Sequence, residues 1–392
     1  MINSFQRQER QSMLRRELGA FLVNTSSLEI PLDYATTAFS EHVGPFFLYR
    51  LRETGIDPQD FPRLEPLLSE ARHYAVQSML QERAMLEVNT ALNVAGIKTV
   101  WLKGSVLAYT VYPQSNLRTR ADLDVLVPPE DFQKALSILY TLDYYDPDKA
   151  LETPAKRLSH HAHLRHIQYY SIIVELHHRL LGYSGEDILA PDILAQWVDQ
   201  AIPFVVNDTN CYTLKPEYHL LYICAHAFLQ HGEAKVTLRH LLDMHLLITH
   251  YTLDWEIIVA EAVTLKWTFL FETALKRVHE YFQTPIPDDV FEKLKRLRTQ
   301  AEDISSVILK SSGDIRGESV LQLFNHLTLK ERTQTIFQIA IPSRDYMRER
   351  YDVLPEHSVL PYYPYRWFDQ SRGLIIAFYR RIMNYLGKTL DK

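Results

Sequence analysis

Glycine and cysteine are both scarce in this chain. Twelve glycines among 392 residues leave few Gly-rich loops and point to helix as the dominant element. Two cysteines, Cys211 and Cys224, exclude a disulfide scaffold and a four-thiolate zinc site. No apolar run reaches the ~18 uncharged residues of a membrane-spanning helix. Charges are spread through Met1 to Gly19 with no apolar segment among them, so no signal peptide and a cytoplasmic location are expected. Positive charge is not in excess: a net charge of -6 argues against a surface built to track long nucleic acid, although it leaves room for a local basic groove. Repeats and low-complexity tracts are absent. What remains is an ordinary globular composition, 46% apolar and 23% charged, long enough for two or three modules.

The apolar spacing divides the chain into three. Residues 1–95 read as helix throughout, with stretches near Phe5–Leu22 and Tyr34–Thr54 and a long pattern from Pro66 that Gly96 closes. Residues 96–215 mix elements: strands at Ile97–Leu102 and Leu123–Val127, helices at Val106–Tyr112 and Asp131–Leu142, and strands at His163–Tyr169 and Ile172–Leu176 about a tight turn at Tyr170-Ser171. Residues 216–392 return to helix, at Glu217–His231, Thr237–His250, Trp255–Trp267, Leu270–Phe282, Val290–Leu309, Val320–Ala340 and Gln370–Leu386. The expected fold is α+β: a small mixed-sheet core flanked by an N-terminal helical arm and a C-terminal helical domain. The last segment is amphipathic and basic on one side, and packing against the C-terminal half is expected in preference to a membrane surface.

Chemistry concentrates in the middle third. Asp122 and Asp124 are two apart at the start of a strand, so their carboxylates share a face while Leu123, Val125 and Val127 take the other. Two crowded carboxylates repel unless a cation lies between them, and hard oxygen ligands favour Mg2+. Some eighteen residues upstream, Lys103-Gly104-Ser105 joins a strand to a helix. There backbone N–H groups and the helix dipole can hold a phosphate, Gly104 allows close approach, and Ser105 adds a donor. The spacing is not that of a Walker loop. Glu175 is a third acid, set within the apolar run Ile172-Ile-Val-Glu-Leu-His177 and, by alternation, on the opposite face from Val174 and Leu176.

A strand ending in Gly-Ser, an Asp-x-Asp and a third acid on a neighbouring strand resemble the polymerase-beta-like nucleotidyltransferase superfamily. Within it, Leu-Lys-Gly at 102–104, Arg-x-x-x-Asp-Leu-Asp-Val-Leu-Val at 118–127, Val-Glu-Leu-His at 174–177 and a following His-rich helix resemble the uncharacterised family often called type 5. The likeness runs from about Ala91 to Phe282 and more faintly through Pro342–Tyr351. It implies a two-metal site in which Asp122, Asp124 and Glu175 are both catalytic and metal-binding, with Mg2+ as cofactor and Mn2+ as its substitute. It further implies an NTP donor, ATP foremost, and an acceptor whose identity the motifs do not give.

On an extended chain Arg118 and Arg120 point the same way as Asp122, and a triphosphate clamp is expected of them, more strongly of Arg118, which fits the family's arginine. Lys103, beside Gly104, is expected to reach the phosphates. His177 shares the face of Glu175 and is expected to orient the acceptor or relay a proton. The resemblance places His226, His231, Arg239 and Asp243 opposite the metals as base or acceptor contacts, although Arg239 and Asp243, at i,i+4, also suit a plain intrahelical ion pair. His160, His161, His163, His166 and His178 form a local excess that raises zinc, but no pair has the His-x-x-x-His spacing of metalloproteases, and zinc is not expected. The reading is a Mg2+-dependent transfer of a nucleoside monophosphate to a hydroxyl on a small molecule or protein. Its alternatives are a transferase acting on tRNA or RNA ends, with nucleic acid the less favoured partner, and a nucleotide-sensing interaction protein.

Overall fold

A computed structural model describes residues 4–23, 33–147, 161–169, 171–181, 191–230, 232 and 235–298, with 333, 341, 344, 347–348, 351, 353 and 357–368 beyond them. Nearly all of the helix expected at 320–340, the helix expected at 370–386, the end of that at 290–309, most of the 342–351 motif, and His160 and His231 lie outside the described residues. Among the described residues no helix is long and apolar enough to cross a membrane.

Helices α1 (Ser4–Val23), α2 (Asp33–Ser40), α3 (Gly44–Glu53) and α4 (Glu65–Val94) precede the sheet. The segment expected as one helix over 34–54 is broken at His42, whose φ of 59° no helix accommodates. Gly96 ends α4: at φ 75° it turns the chain so that Ile97 N–H reaches back to Leu92 at 3.0 Å. Strand β1 (Val100–Trp101) and helix α5 (Gly104–Thr110) follow, then β2 (Leu123–Leu126), α6 (Phe132–Thr141), β3 (Tyr144–Tyr145), β4 (His161–His166), β5 (Ile173–His177) and α7 (Pro191–Asp199). A hairpin of β6 (Ile202–Val206) and β7 (Thr209–Thr213) completes the sheet, and α8 (Pro216–Ala225), α9 (Leu238–His250), α10 (Trp255–Thr264), α11 (Thr268–Phe282) and α12 (Asp288–Arg296) form the C-terminal helical region.

The seven strands order as β3-β4-β5-β2-β1-β7-β6. The sheet is mixed: β2 runs parallel to β5 and β1 to β7, while the remaining neighbours are antiparallel. Alternation sorts the side chains by face. Leu123, Val125, Val174, Leu176, Ala162 and Leu164 turn to one core, which α4 and α6 cover through Met85, Val88, Ala135 and Leu139. Trp101, on this face and fully buried, donates its indole N–H to Asn89 of α4 at 3.0 Å, which fixes α4 on the sheet. The opposite face packs on helices from both ends of the chain. Leu18, Phe21 and Phe47 share one apolar cluster with Leu221, Leu242, Phe271 and Leu275. The N-terminal helices flank the sheet core as expected and pack on the C-terminal helices as they do so, and Glu41 accepts from the first backbone N–H of α9 at 2.7 Å. The acids lie on this second face.

Candidate active site

The junction between β1 and α5 fixes the geometry. Lys103 stands at φ 49° and ψ -133°, a positive-φ conformation sparsely populated by residues with a side chain, where the chain swings from strand into helix. Its backbone N–H donates to Nε2 of His219 on α8 at 3.1 Å, and Leu102 N–H donates to the Asp124 carbonyl at 3.0 Å. Ser105 Oγ accepts from Asp124 N–H at 2.8 Å. The Gly-Ser element thus stitches α5 to the start of β2. His219 can accept only while that nitrogen is unprotonated, and burial holds its pKa down near about 4 against the pull of Asp243 and Asp124. An unfolded histidine binds its proton near 6.5, so the stability that His219 contributes is complete above that pH and is lost as pH falls towards about 4. Between pH 7 and 4.5 the urea midpoint of the wild type should drop relative to that of His219→Gln, because only the wild type carries this histidine's contribution; a difference between the two that does not change with pH would contradict the assignment.

Strand pairing brings the acids together. Asp124 and Glu175 are register partners on β2 and β5, and Asp122 precedes β2 by one residue on the same parity as Asp124. The Lys103 ammonium lies 2.7 Å from Asp124 Oδ1 and 3.9 Å from Glu175 Oε2. Burial alone would lower the Lys103 pKa; Asp124, Tyr222, Glu175 and Asp122 outweigh it and raise it. Asp122 makes no hydrogen bond or ion pair among the described residues, and burial, with Asp124 and Glu175 beside it, pushes its pKa up to about 7. Glu175 moves the other way: burial opposes its charge, but His163, His177, His161 and Lys103 together hold it well below the usual carboxylate range.

Histidines line the other flank. His177, fully buried, has Nε2 3.0 Å from Asp124 Oδ1 and 3.4 Å from Glu175 Oε2. His161 Nε2 is 3.5 Å, and His163 Nδ1 3.8 Å, from Glu175 Oε1. His161, Glu175 and His177 each offer one ligand atom within 4.8 Å of the others, a group able to coordinate a divalent metal.

The two arginines expected at the phosphates are buried, at 7% and 4% exposure. Arg118 grips Asp243 of α9 in a bidentate pair at 2.7 and 2.6 Å and also donates to the Thr119 carbonyl; Tyr112 O–H donates to the same carboxylate at 2.7 Å. Burial works against the charge on Arg118, yet Asp243 overcomes it and raises its pKa. A Cβ at Gly104 would lie 3.2 Å from the Arg118 guanidinium, so the glycine admits this arginine as well as opening the junction. Arg120 donates to Tyr109 and Ser78 at 3.0 and 3.3 Å, with its guanidinium over the Tyr109 ring.

Arg239 and Asp243 do not form the i,i+4 pair, because Arg118 and Tyr112 take both Asp243 oxygens. Arg239 instead reaches the Thr119 carbonyl at 3.3 Å and feels Asp122 among its neighbours. His226 opens a five-residue π-turn at 226–230, where the helix expected through 231 widens beside Tyr222. Sequence reasoning missed His219 and Tyr112, which lie far along the chain from the residues they hold.

A family model described as an uncharacterised nucleotidyltransferase matches residues 32–283, which takes in every residue of the site described in this subsection. No curated protein matches the chain.

Proposed function

Because the chain belongs to this uncharacterised nucleotidyltransferase family of the polymerase-beta-like superfamily, we propose that it transfers a nucleoside monophosphate from an NTP, ATP foremost, to a hydroxyl on a small molecule or protein. The acceptor hydroxyl gives up its proton to water as its oxygen bonds to the α-phosphorus, the bond from that phosphorus to the bridging oxygen of the β-phosphate breaks, and pyrophosphate leaves. The observation that supports this most is the placement of Asp122, Asp124 and Glu175 on one face of adjacent strands beneath the Gly104 junction.

Mg2+, with Mn2+ as substitute, is the ion we assign to these oxygens. The donor set fits it: Asp122 makes no ion pair among the described residues, although Lys103 and Arg239 act on it at longer range, and Asp124 and Glu175 already turn to an ammonium. Bound there, it would neutralise the triphosphate and activate the acceptor hydroxyl. Lys103, relieved of the carboxylates, is then the cation nearest the phosphates, and Arg239, near Asp122, is a second. Gly104 and Ser105 shape the floor on which the phosphates rest. Arg118 acts indirectly, as the brace that sets α9 and Arg239 against the junction. The test is to incubate the full chain with each α-labelled NTP and Mg2+, alone and with cell extract. Label on a small molecule or protein supports the reading, label on RNA ends moves the acceptor class, and no label with any NTP overturns it.

A further inference from the structure

Antiparallel pairing of β4 with β5 places His161 opposite His177 and His163 opposite Glu175. Helical spacing in the sequence could not reveal this, because the residues meet across a strand register. The imidazole rings of His161 and His177 stand 5.0 Å apart at 36°. The two oxygens of Glu175 divide the space between them. Oε2 faces His177 and Lys103, at 3.4 and 3.9 Å, while Oε1 faces His161 and His163, at 3.5 and 3.8 Å. One carboxylate therefore borders two environments, an oxygen-rich one shared with Asp124 and an imidazole-rich one on the β4 side.

We propose that His161, Glu175 and His177 form a site for a first-row transition-metal ion of the Zn2+ class, distinct in ligand chemistry from the Mg2+ position at Asp122 and Asp124, with Glu175 bordering both through its two oxygens. Mg2+ seeks near-octahedral oxygen and gives little for imidazole. Two imidazoles and one carboxylate suit Zn2+, Co2+ or Fe2+, and three protein ligands leave coordination open for water or substrate. Ligand atoms within 4.8 Å of one another need only small side-chain rotations to meet an ion with bonds of about 2.0–2.2 Å. His161 and Glu175 keep 21% and 16% of their side-chain surface exposed, so the ion has a path in. The assignment goes beyond the transfer reading and holds whichever reaction the neighbouring acids perform.

Metal-stripped full-length protein should be titrated calorimetrically with Zn2+ and with Mg2+, and its Co2+ form examined for ligand-field absorption. The wild type should bind Zn2+ at least ~10³-fold more tightly than Mg2+. His161→Ala, with an unchanged far-UV CD spectrum and urea midpoint showing it folded, should lose at least ~100-fold in Zn2+ affinity, beyond the range of an outer-shell loss, and should lose the Co2+ spectrum. Asp122→Asn should bind Zn2+ within about threefold of wild type. Unchanged Zn2+ affinity in His161→Ala, or no preference over Mg2+, overturns the site. If label transfer from NTP is seen while these metal results fail, this inference fails alone; if His161→Ala loses Zn2+ and no NTP is used, only the nucleotidyltransferase reading fails.

Discussion

Asp122→Asn should abolish nucleotidyl transfer, by at least ~10³-fold in kcat, and at the same time stabilise the metal-free protein. The two effects share one cause. Asp122 is a carboxylate without an ion pair among the described residues, and burial, together with Asp124 and Glu175 beside it, raises its pKa to about 7. In the unfolded chain an aspartate titrates near 3.9, so the wild type loses stability as pH rises from there to about 7. The amide carries no charge to be repelled. The stability gain should therefore be full above pH 7, a few degrees in Tm at ~2–4 °C per kcal/mol, and should vanish towards pH 4. The loss of transfer follows from the same deletion, since the uncharged amide would hold the Mg2+ proposed at these oxygens less well and leave the triphosphate's charge less neutralised. Asp124→Asn offers a contrast: it loses activity and stability together, because it strips the Lys103 ammonium of its 2.7 Å partner. Transfer by Asp122→Asn within about tenfold of wild type would remove this acid from the site.

The second large effect lies away from the acids. Asp243→Ala should cost ~3–5 kcal/mol of stability, because it leaves the Arg118 guanidinium buried without its counter-charge and Tyr112 O–H without its acceptor. The urea midpoint should fall while the m-value is kept. Replacing both partners, as Arg118→Met with Asp243→Leu, should recover much of the loss, since the penalty comes from the orphaned charge and not from the absence of a pair. Transfer should not recover with it, because Arg239 would lose the brace that sets it against Thr119. Full recovery of both would reduce the pair to a packing element.

Local pattern carried much of this architecture. The alternation Ile173, Glu175, His177 against Val174, Leu176 sets the acid face of β5, and the Asp-x-Asp of β2 falls on the same side of the sheet. Long-range choices were hidden. Asp243 has Arg239 one turn away, a fair partner on helical spacing, yet it pairs with Arg118, 125 residues distant, because burial rewards a bidentate fork over an i,i+4 contact. The histidine excess near 161–178 likewise resolves only through the β4–β5 register. The hairpin of β6 and β7 went unassigned although its signal is present: Asn207 and Asp208 both take positive φ, at 43° and 62°, as a two-residue turn requires. Pro203 in β6 weakens the strand pattern, and it is tolerated because β6 is the sheet edge.

The most direct measurement compares ATP labelled at the α-phosphorus with ATP labelled at the γ-phosphorus, using wild type and Asp122→Asn with Mg2+ and an acceptor-containing extract. Nucleotidyl transfer predicts that the α label enters the acceptor, that the γ label leaves as pyrophosphate in equal amount, and that Asp122→Asn does neither. Entry of the γ label into the acceptor, or equal labelling by the variant, would contradict the account.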